Sequence, residues 1–478
     1  MLVQSRRSPL LVAALLALAA CGAPDAGPVA PPVFVIVLDA LGAKHVDHLG
    51  PEGLGVTPTL DALAADGVTC TQAFSPAPYT LAGIPSILTG RLPDNHRLVD
   101  PRQRLSQGEV TLAERLHDAG YETVAAIGNL NGSSAFGLMQ GFDEAVDVFE
   151  PSARFPRTIG KGEAAYHLPR APEFVDLTFD WLDGGLGAKA PPFVYLHLLE
   201  PHSPYYPPAP FLERFVDSAY EGPFAGGHTG AFKRSNEGAF EIDADDRRQA
   251  LGLYRATLAF VDDELGRLFD GLRARGLYDE SWIVVTSDHG EAFWEHGRWG
   301  HNTDLFEEML HVPLIVKPPA SEGLAGRRFE GFASTIDLVP TLVEGLGLGS
   351  ASGVDGLALG ASFRDPAAHP TRRELVLRTN HVAPHVGLRR VDGEQASKDI
   401  LFRRQAARSR AKALEVVRTV RFDLRADPRE RDDSQPVDRS ARRRLRPWLD
   451  RTAVEIEQVL ELTAQQDALL RDLGYTDD

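Results

Sequence analysis

Cysteine is nearly absent: Cys21 and Cys70 are the two in 478 residues. That excludes a disulfide-built scaffold, and if Cys21 serves elsewhere Cys70 has no intrachain partner. A positive charge balance is also missing, with 50 Lys and Arg against 67 Asp and Glu and a net charge of −17. Nucleic acid is disfavoured as a partner, because binding that polyanion depends on clustered cations that neutralise phosphates. The short basic stretches Arg403-Arg404 and Arg442-Arg443-Arg444 read as solvated helix faces. The N-terminal apolar run, residues 10–20, is too short to cross the ~30 Å hydrocarbon core of a bilayer. What is present is the 43% apolar composition of a globular chain, long enough for one large domain and a smaller one.

Arg6 and Arg7 precede the apolar run, which has the form of a secretory signal. Its end, Leu18-Ala19-Ala20-Cys21, resembles a bacterial lipobox. The resemblance implies a signal peptide over 1–21, acylation of Cys21, and a Gly-, Ala- and Pro-rich tether over 22–32. Two or three acyl chains would anchor the protein to a membrane. Gly22, with no aspartate after the cysteine, points by the same resemblance to an envelope lipoprotein of the outer membrane, periplasmic or surface-facing. The alternative is an ordinary cleavable signal.

Beyond residue 33, apolar strand-like runs alternate with amphipathic helical patterns. This predicts an α/β fold, a mostly parallel central sheet flanked by helices. Strands are expected at 33–38, 123–127, 193–198, 282–286 and 312–316, and helices at 110–119, 174–182 and 247–275. A further helix starts after Val56, with Thr57 as N-cap and Pro58 in its first turn, and stops at Gly67. The Gly-rich stretch 221–241 reads as an irregular insertion. The catalytic region is expected over 33–346. A smaller C-terminal region with β structure follows over 347–478, with strands at 374–377 and 386–390 and helices near 454–473.

Ligands of open α/β sheets gather at the carboxyl ends of the strands. Asp39 follows the first strand, and Asp288 and His289 follow the strand 282–286. Thr80 precedes an apolar helical run, where the helix N-terminus favours an anion. Two carboxylates, an imidazole and a hydroxyl suit zinc or manganese, with calcium open. A threonine hydroxyl on such a metal becomes a competent nucleophile.

The runs Phe34-Val35-Ile36-Val37-Leu38-Asp39, Thr57-Pro58-Thr59-Leu60-Asp61-Ala62-Leu63, Ala73-Phe74-Ser75-Pro76-Ala77-Pro78 and Leu88-Thr89-Gly90-Arg91 resemble the first half of a sulfatase domain. Pro201-His202, Ser287-Asp288-His289-Gly290-Glu291, Glu295-His296-Gly297, Gly300-His301 and Val312-Pro313-Leu314-Ile315-Val316 resemble its second half, in the same order. The resemblance, to the sulfatase branch of the alkaline phosphatase-like hydrolases, implies metal ligands at Asp39, Asp288 and His289, with Thr80 as ligand and nucleophile. It implies His202 and His301 as catalytic groups that touch the oxyanion or protonate the leaving oxygen, and His296 as a further substrate-binding histidine.

Departures are as informative. Where sulfatases place the cysteine or serine that becomes formylglycine, then proline and arginine, this chain has Thr80, Ala82 and Ile84. Formylglycine is not expected. The usual aspartate pair is reduced to Asp39-Ala40, His289 replaces asparagine, and Gly128-Asn129 stands in place of a lysine and a histidine. Together they shift the pattern towards threonine-using relatives. The expectation is a metal-dependent hydrolase of phosphate mono- or diesters acting on a small-molecule or glycan- or lipid-linked ester. The alternatives are a sulfatase without formylglycine, an envelope phospho-group transferase, and a non-catalytic glycan- or lipid-binding lipoprotein. One metal is accounted for; a second, at His296 or His301, stays open. Trp294 and Trp299, which flank His296, read as packing aromatics.

Overall fold

An unbroken apolar run has to be covered on both faces, and such runs form the middle of the sheet. The first, β1 (Val33–Leu38), is buried along its whole length. A computed structural model describes residues 30–449, apart from 52, 148–157, 160–165, 168, 226–228, 366, 368–373, 380–384, 394, 406–413, 434 and 436–438. The signal, Cys21, most of the tether and the helices expected at 454–473 lie outside the described residues.

Seven further strands complete the large sheet: β2 (Val68–Phe74), β3 (Glu122–Ile127), β4 (Glu144–Val146), β5 (Pro192–Leu198), β6 (Trp282–Thr286), β7 (Leu314–Lys317) and β8 (Arg327–Ser334). Their order is β8-β2-β7-β6-β1-β5-β3-β4. Every neighbouring pair is parallel except those made by β7, which runs antiparallel to both β6 and β2. The sheet is therefore mixed, with one reversed strand inside a parallel array. Cys70 lies buried on β2 as a free thiol, pushed up by burial.

Helices α1 (Pro58–Ala65), α2 (Thr80–Thr89), α3 (Leu112–Asp118), α4 (Ala171–Asp183), α5 (Ala244–Ala274) and α6 (Leu338–Gly345) flank the sheet. The long α5 begins in a capping box, Asp243 accepting from the Asp245 and Asp246 amides while Asp246 accepts from the Asp243 amide. The N-terminus of α1 differs from expectation. Thr57 occupies the cap position but its hydroxyl accepts from Asp47 N, and the Thr59 and Leu60 amides are taken at 2.8 and 2.9 Å by Asp262 of α5. Gly67 is not a left-handed stop either. A Cβ there would lie 2.7 Å from Val316 O, so the glycine admits the close approach of β7.

Two other expectations are corrected. The stretch 221–241 contains a helix over Thr229–Asn236, and Phe224 and Phe232 from this segment pack on Trp294 and Trp299. Arg403 is on a strand, not a helix, and is buried, with its guanidinium drawn down to about 10 by desolvation.

The C-terminal region is a four-stranded antiparallel sheet, β9 (Glu374–Arg378), β10 (Val386–Asp392), β11 (Gln395–Gln405) and β12 (Leu414–Asp423). It shares a core with the large layer: Leu375, Leu377, Ile400 and Phe422 pack with Phe74, Leu310 and Phe332. Beneath that contact Lys398 is fully buried between Glu307 (2.9 Å) and Glu430 (2.7 Å), and Arg389 also bonds Glu307.

Candidate active site

Asp39 directly follows β1, and Asp288 and His289 follow β6, its parallel neighbour. The adjacent strand ends are stitched together. Asp288 Oδ1 accepts from the Ala40 amide at 3.3 Å, and Ser287 Oγ accepts from the Leu41 amide at 2.9 Å while donating to His289 O. Ala40 takes a left-handed φ of 60°, and the Tyr254 hydroxyl donates to its carbonyl at 2.9 Å. A non-glycine residue in that region costs free energy and persists where surrounding bonds over-determine it.

Thr80 opens α2, and the helix is pressed against Asp288. A Cβ on Gly83 would lie 2.6 Å from Asp288 O, so only glycine allows this approach. The result places Thr80 Oγ1 3.2 Å from His289 Nε2. His289 donates from Nδ1 to Gly290 O at 2.8 Å, so Nε2 carries the lone pair and faces the threonine and both carboxylates. Ligand atoms of Asp39, Asp288 and His289 all lie within 4.8 Å of one another, and these residues and Thr80 are fully buried.

The fit to a divalent cation rests on this donor set. Asp39 Oδ1 and Asp288 Oδ2 are buried and accept no hydrogen bond, and both lie near His289 Nε2, at 3.6 and 3.5 Å. Buried carboxylate oxygens without donors are costly unless a cation completes them. Two oxygens and an imidazole nitrogen, with a hydroxyl beside them, suit zinc or manganese.

Burial pushes the Asp39 carboxyl up, but His202, His197 and His289 around it outweigh that and hold it well below the carboxylate range. Burial and the neighbouring Asp39 charge raise Asp288. Burial lowers His289, yet the two carboxylates reverse the sign and raise it. His202 and His301 are both held low, chiefly by desolvation.

The structure brings Asp39, Thr80, Asp288, His289, His202 and His301 together. The His301 ring centroid is 4.2 Å from that of His289 and 5.0 Å from that of His202. His296 is placed elsewhere: it bonds Glu308 at 2.6 Å and Glu430 O at 3.2 Å and stacks on Phe306, against the C-terminal region. None of these contacts reaches the carboxylates, so a substrate role gains no support. His96, which bonds Ser86 of α2 and accepts from the Leu98 amide, is a structural tie.

Two further residues hold Asp39: Asn129, which the sequence shows only as a departure from the sulfatase pattern, and His197. Asn129 donates to Asp39 Oδ2 at 2.6 Å and His197 Nε2 donates to the same oxygen at 3.1 Å. A histidine inside the apolar run of β5 was the available signal. Glu291 was also passed over; it is fully buried beside His301, and burial pushes its carboxyl up to about 7.

Comparison with known proteins agrees with this architecture. The sulfatase family model matches residues 31–348. A multifunctional alkaline phosphatase superfamily protein, PehA, from Trinickia caryophylli is 28% identical over 404 residues, covering 68% of this chain and 76% of its own. The choline-sulfatase of Rhizobium meliloti is 24% identical over 357 residues, covering 66% and 68%. Among solved structures, the phosphonate monoester hydrolase of Agrobacterium radiobacter superposes with a TM-score of 0.66 at 21% identity, covering 88% of this chain and 95% of its own. With the family match spanning the whole of the large sheet and every residue of the cluster, the chain belongs to the sulfatase family of the alkaline phosphatase-like superfamily, as a hydrolase of sulfate or phosphate esters.

Proposed function

We propose that the protein is a metal-dependent hydrolase of phosphate mono- or diesters in which Thr80 is the covalent nucleophile. The observation that carries this reading is Thr80 Oγ1 at 3.2 Å from His289 Nε2, beside two carboxylate oxygens that lack donors. A divalent cation held by Asp39, Asp288 and His289, zinc or manganese with calcium as a third choice, would lower the pKa of the threonine hydroxyl and polarise the ester. Thr80 Oγ1 passes its proton to Nε2 of His301 or His202 as it attacks phosphorus, the bond from phosphorus to the leaving oxygen breaks, and that oxygen takes the proton from the same histidine. The N-terminus of α2 favours negative charge on the non-bridging oxygens. Water then opens the phosphothreonine, giving its proton to the same histidine, which returns it to the released Thr80 oxygen.

Sulfate esters are the second reading, favoured by the family and by the relative named choline-sulfatase. Threonine has no route to formylglycine, so sulfate turnover here would run through an unmodified hydroxyl. Aryl phosphate, bis-aryl phosphate, phosphonate monoester and aryl sulfate, assayed with zinc, manganese and calcium, separate the two. On the first reading Thr80→Ala abolishes phosphate turnover, and acid-quenched wild type carries a phosphoryl group on residue 80. Turnover of sulfate alone, indifferent to Thr80→Ala, would overturn it.

The lipid anchor at Cys21 and an envelope location are part of the same proposal, supported by the run over residues 6–21. Cys21→Ser should move the protein from the membrane to the soluble fraction; unchanged membrane association rejects the anchor.

A further inference from the structure

Besides His197, which bonds Asp39 through Nε2, three histidine rings meet at the site, and each of these three has its Nδ1 engaged. His289 donates to Gly290 O and His202 to Ser203 O, in both cases the carbonyl of the next residue. Their orientation is therefore set by local backbone. His301 differs. Its Nδ1 donates to Glu291 Oε1 at 2.9 Å, a side chain ten positions away in sequence.

That carboxyl group is itself held. Glu291 is fully buried, and its Oε2 accepts from the Tyr205 hydroxyl at 3.4 Å. The Tyr205 oxygen accepts in turn from Trp299 Nε1 at 3.3 Å. The Phe232 ring packs edge-on against Tyr205, 5.3 Å away between centroids. A carboxyl oxygen accepts from Nδ1–H whether or not the group is ionised, so the arrangement does not depend on its charge.

We propose that Glu291 is the positioning residue of His301, fixing Nδ1 as the donor so that proton transfer to the leaving oxygen runs at Nε2, with Tyr205 and Trp299 holding the carboxyl in place. The proposal rests on the reading of the site as an ester hydrolase with a histidine acid. The Nδ1 proton stays where it is throughout. Nε2 takes the Thr80 hydroxyl proton during attack and hands it to the leaving oxygen, then takes water's proton in the second half-reaction and returns it to Thr80, and Glu291 exchanges none. The logic is the general one by which the partner of one ring nitrogen selects the work of the other.

A role confined to packing would lower all rates together, whereas loss of an oriented acid matters in proportion to how poorly the leaving group departs unaided. The test uses metal-loaded wild type, Glu291→Leu and Glu291→Gln on aryl esters of graded leaving-group basicity, phosphates or, if those are what wild type cleaves, sulfates. The readout is the slope of log kcat/KM against leaving-group pKa, with bound metal measured on each protein. Glu291→Leu should lose about a hundredfold or more on the poorest leaving group and little on the best, with its metal retained. Glu291→Gln should fall between, because its single amide oxygen can accept from His301 Nδ1 or from the Tyr205 hydroxyl but not from both. A wild-type slope in either folded variant, with a uniform loss or none, overturns the proposal; if the leucine variant does not fold, the glutamine variant decides alone. Failure of the nucleophile reading would show separately, as activity surviving Thr80→Ala with Glu291 intact.

Discussion

Gly83→Ala tests the placement of Thr80 by adding a single carbon. The new Cβ would stand 2.6 Å from Asp288 O and 3.1 Å from Asp288 Cβ, and neither atom is the free end of a flexible chain. Contact has to open by roughly 0.4–0.8 Å before van der Waals repulsion is relieved. Because Gly83 lies one turn beyond Thr80 on the same helix, the shift is carried into Thr80. Overpacking costs about 1–3 kcal/mol, and exchanging glycine for alanine inside a helix returns about 1 kcal/mol, so stability should fall by no more than about 2 kcal/mol. Activity should suffer more: displacements approaching 1 Å cost about a hundredfold, and a drop in kcat of about ten- to a hundredfold is expected. The assay is kcat on the best aryl ester beside a urea melt and a metal titration. Gly230→Ala is the control, since a Cβ there meets only Arg234 Nη1 at 3.9 Å, and it should leave kcat unchanged. A Gly83→Ala enzyme within twofold of wild type in kcat and metal affinity would refute the argument that α2 is pressed onto Asp288.

Asp288→Asn should reduce bound metal and activity together, measured by elemental analysis after dialysis, while wild type stripped by chelator regains activity on adding metal back. Lys398→Met leaves Glu430, already pushed up to about 7 by burial, and Glu307 without their shared ammonium. The expected cost is about 3–5 kcal/mol in denaturant unfolding; a loss under about 1 kcal/mol would contradict it. Desolvation lowers His296, but Glu308 outweighs it and the net shift is upward, while Glu308 itself is lowered. The raised histidine contributes stability that is complete below its unfolded pKa of about 6.5 and lost as pH rises through the folded value; the lowered carboxyl contributes above about 4.5 and is lost as pH falls. The Tm gap between wild type and His296→Gln should therefore be widest between pH 5 and pH 6.5 on the order given by those values, and a gap that grows from pH 6 to pH 9 would reverse the sign.

Much of the site was legible because its parts sit at the ends of unbroken apolar runs. β1 and β6 begin and end where the runs do; Asp39 follows β1 directly, and Asp288 and His289 follow β6 after Ser287. β2 escaped because Thr69, Thr71 and Gln72 interrupt its apolar pattern, and β8 because Arg327, Arg328 and Glu330 give it the look of a loop at the sheet edge. His197 was hidden for the opposite reason: a polar residue in an apolar strand reads as a tolerated exception until Asp39 is seen beside it. Glu291 lay within a recognised motif, but motif reading supplies candidate ligands and not the groups that orient them. His296 lies near His289 and His301 in sequence, which does not fix which way a turn presents its side chains, and it packs on Glu308 and Phe306.

The three candidate cation ligands are far apart in sequence: Asp39 follows β1, and Asp288 and His289 lie beyond β6. β1 gains its two parallel neighbours only from residues 192–198 and 282–286. A chain synthesised only as far as β5 therefore holds one of the three groups and no chelating set. Since the three groups meet only when the sheet forms, binding of an ion there would be coupled to folding. The choice of ion then belongs to the surroundings in which folding finishes: a protein matured among one set of free metals and later moved to another would carry the first set with it.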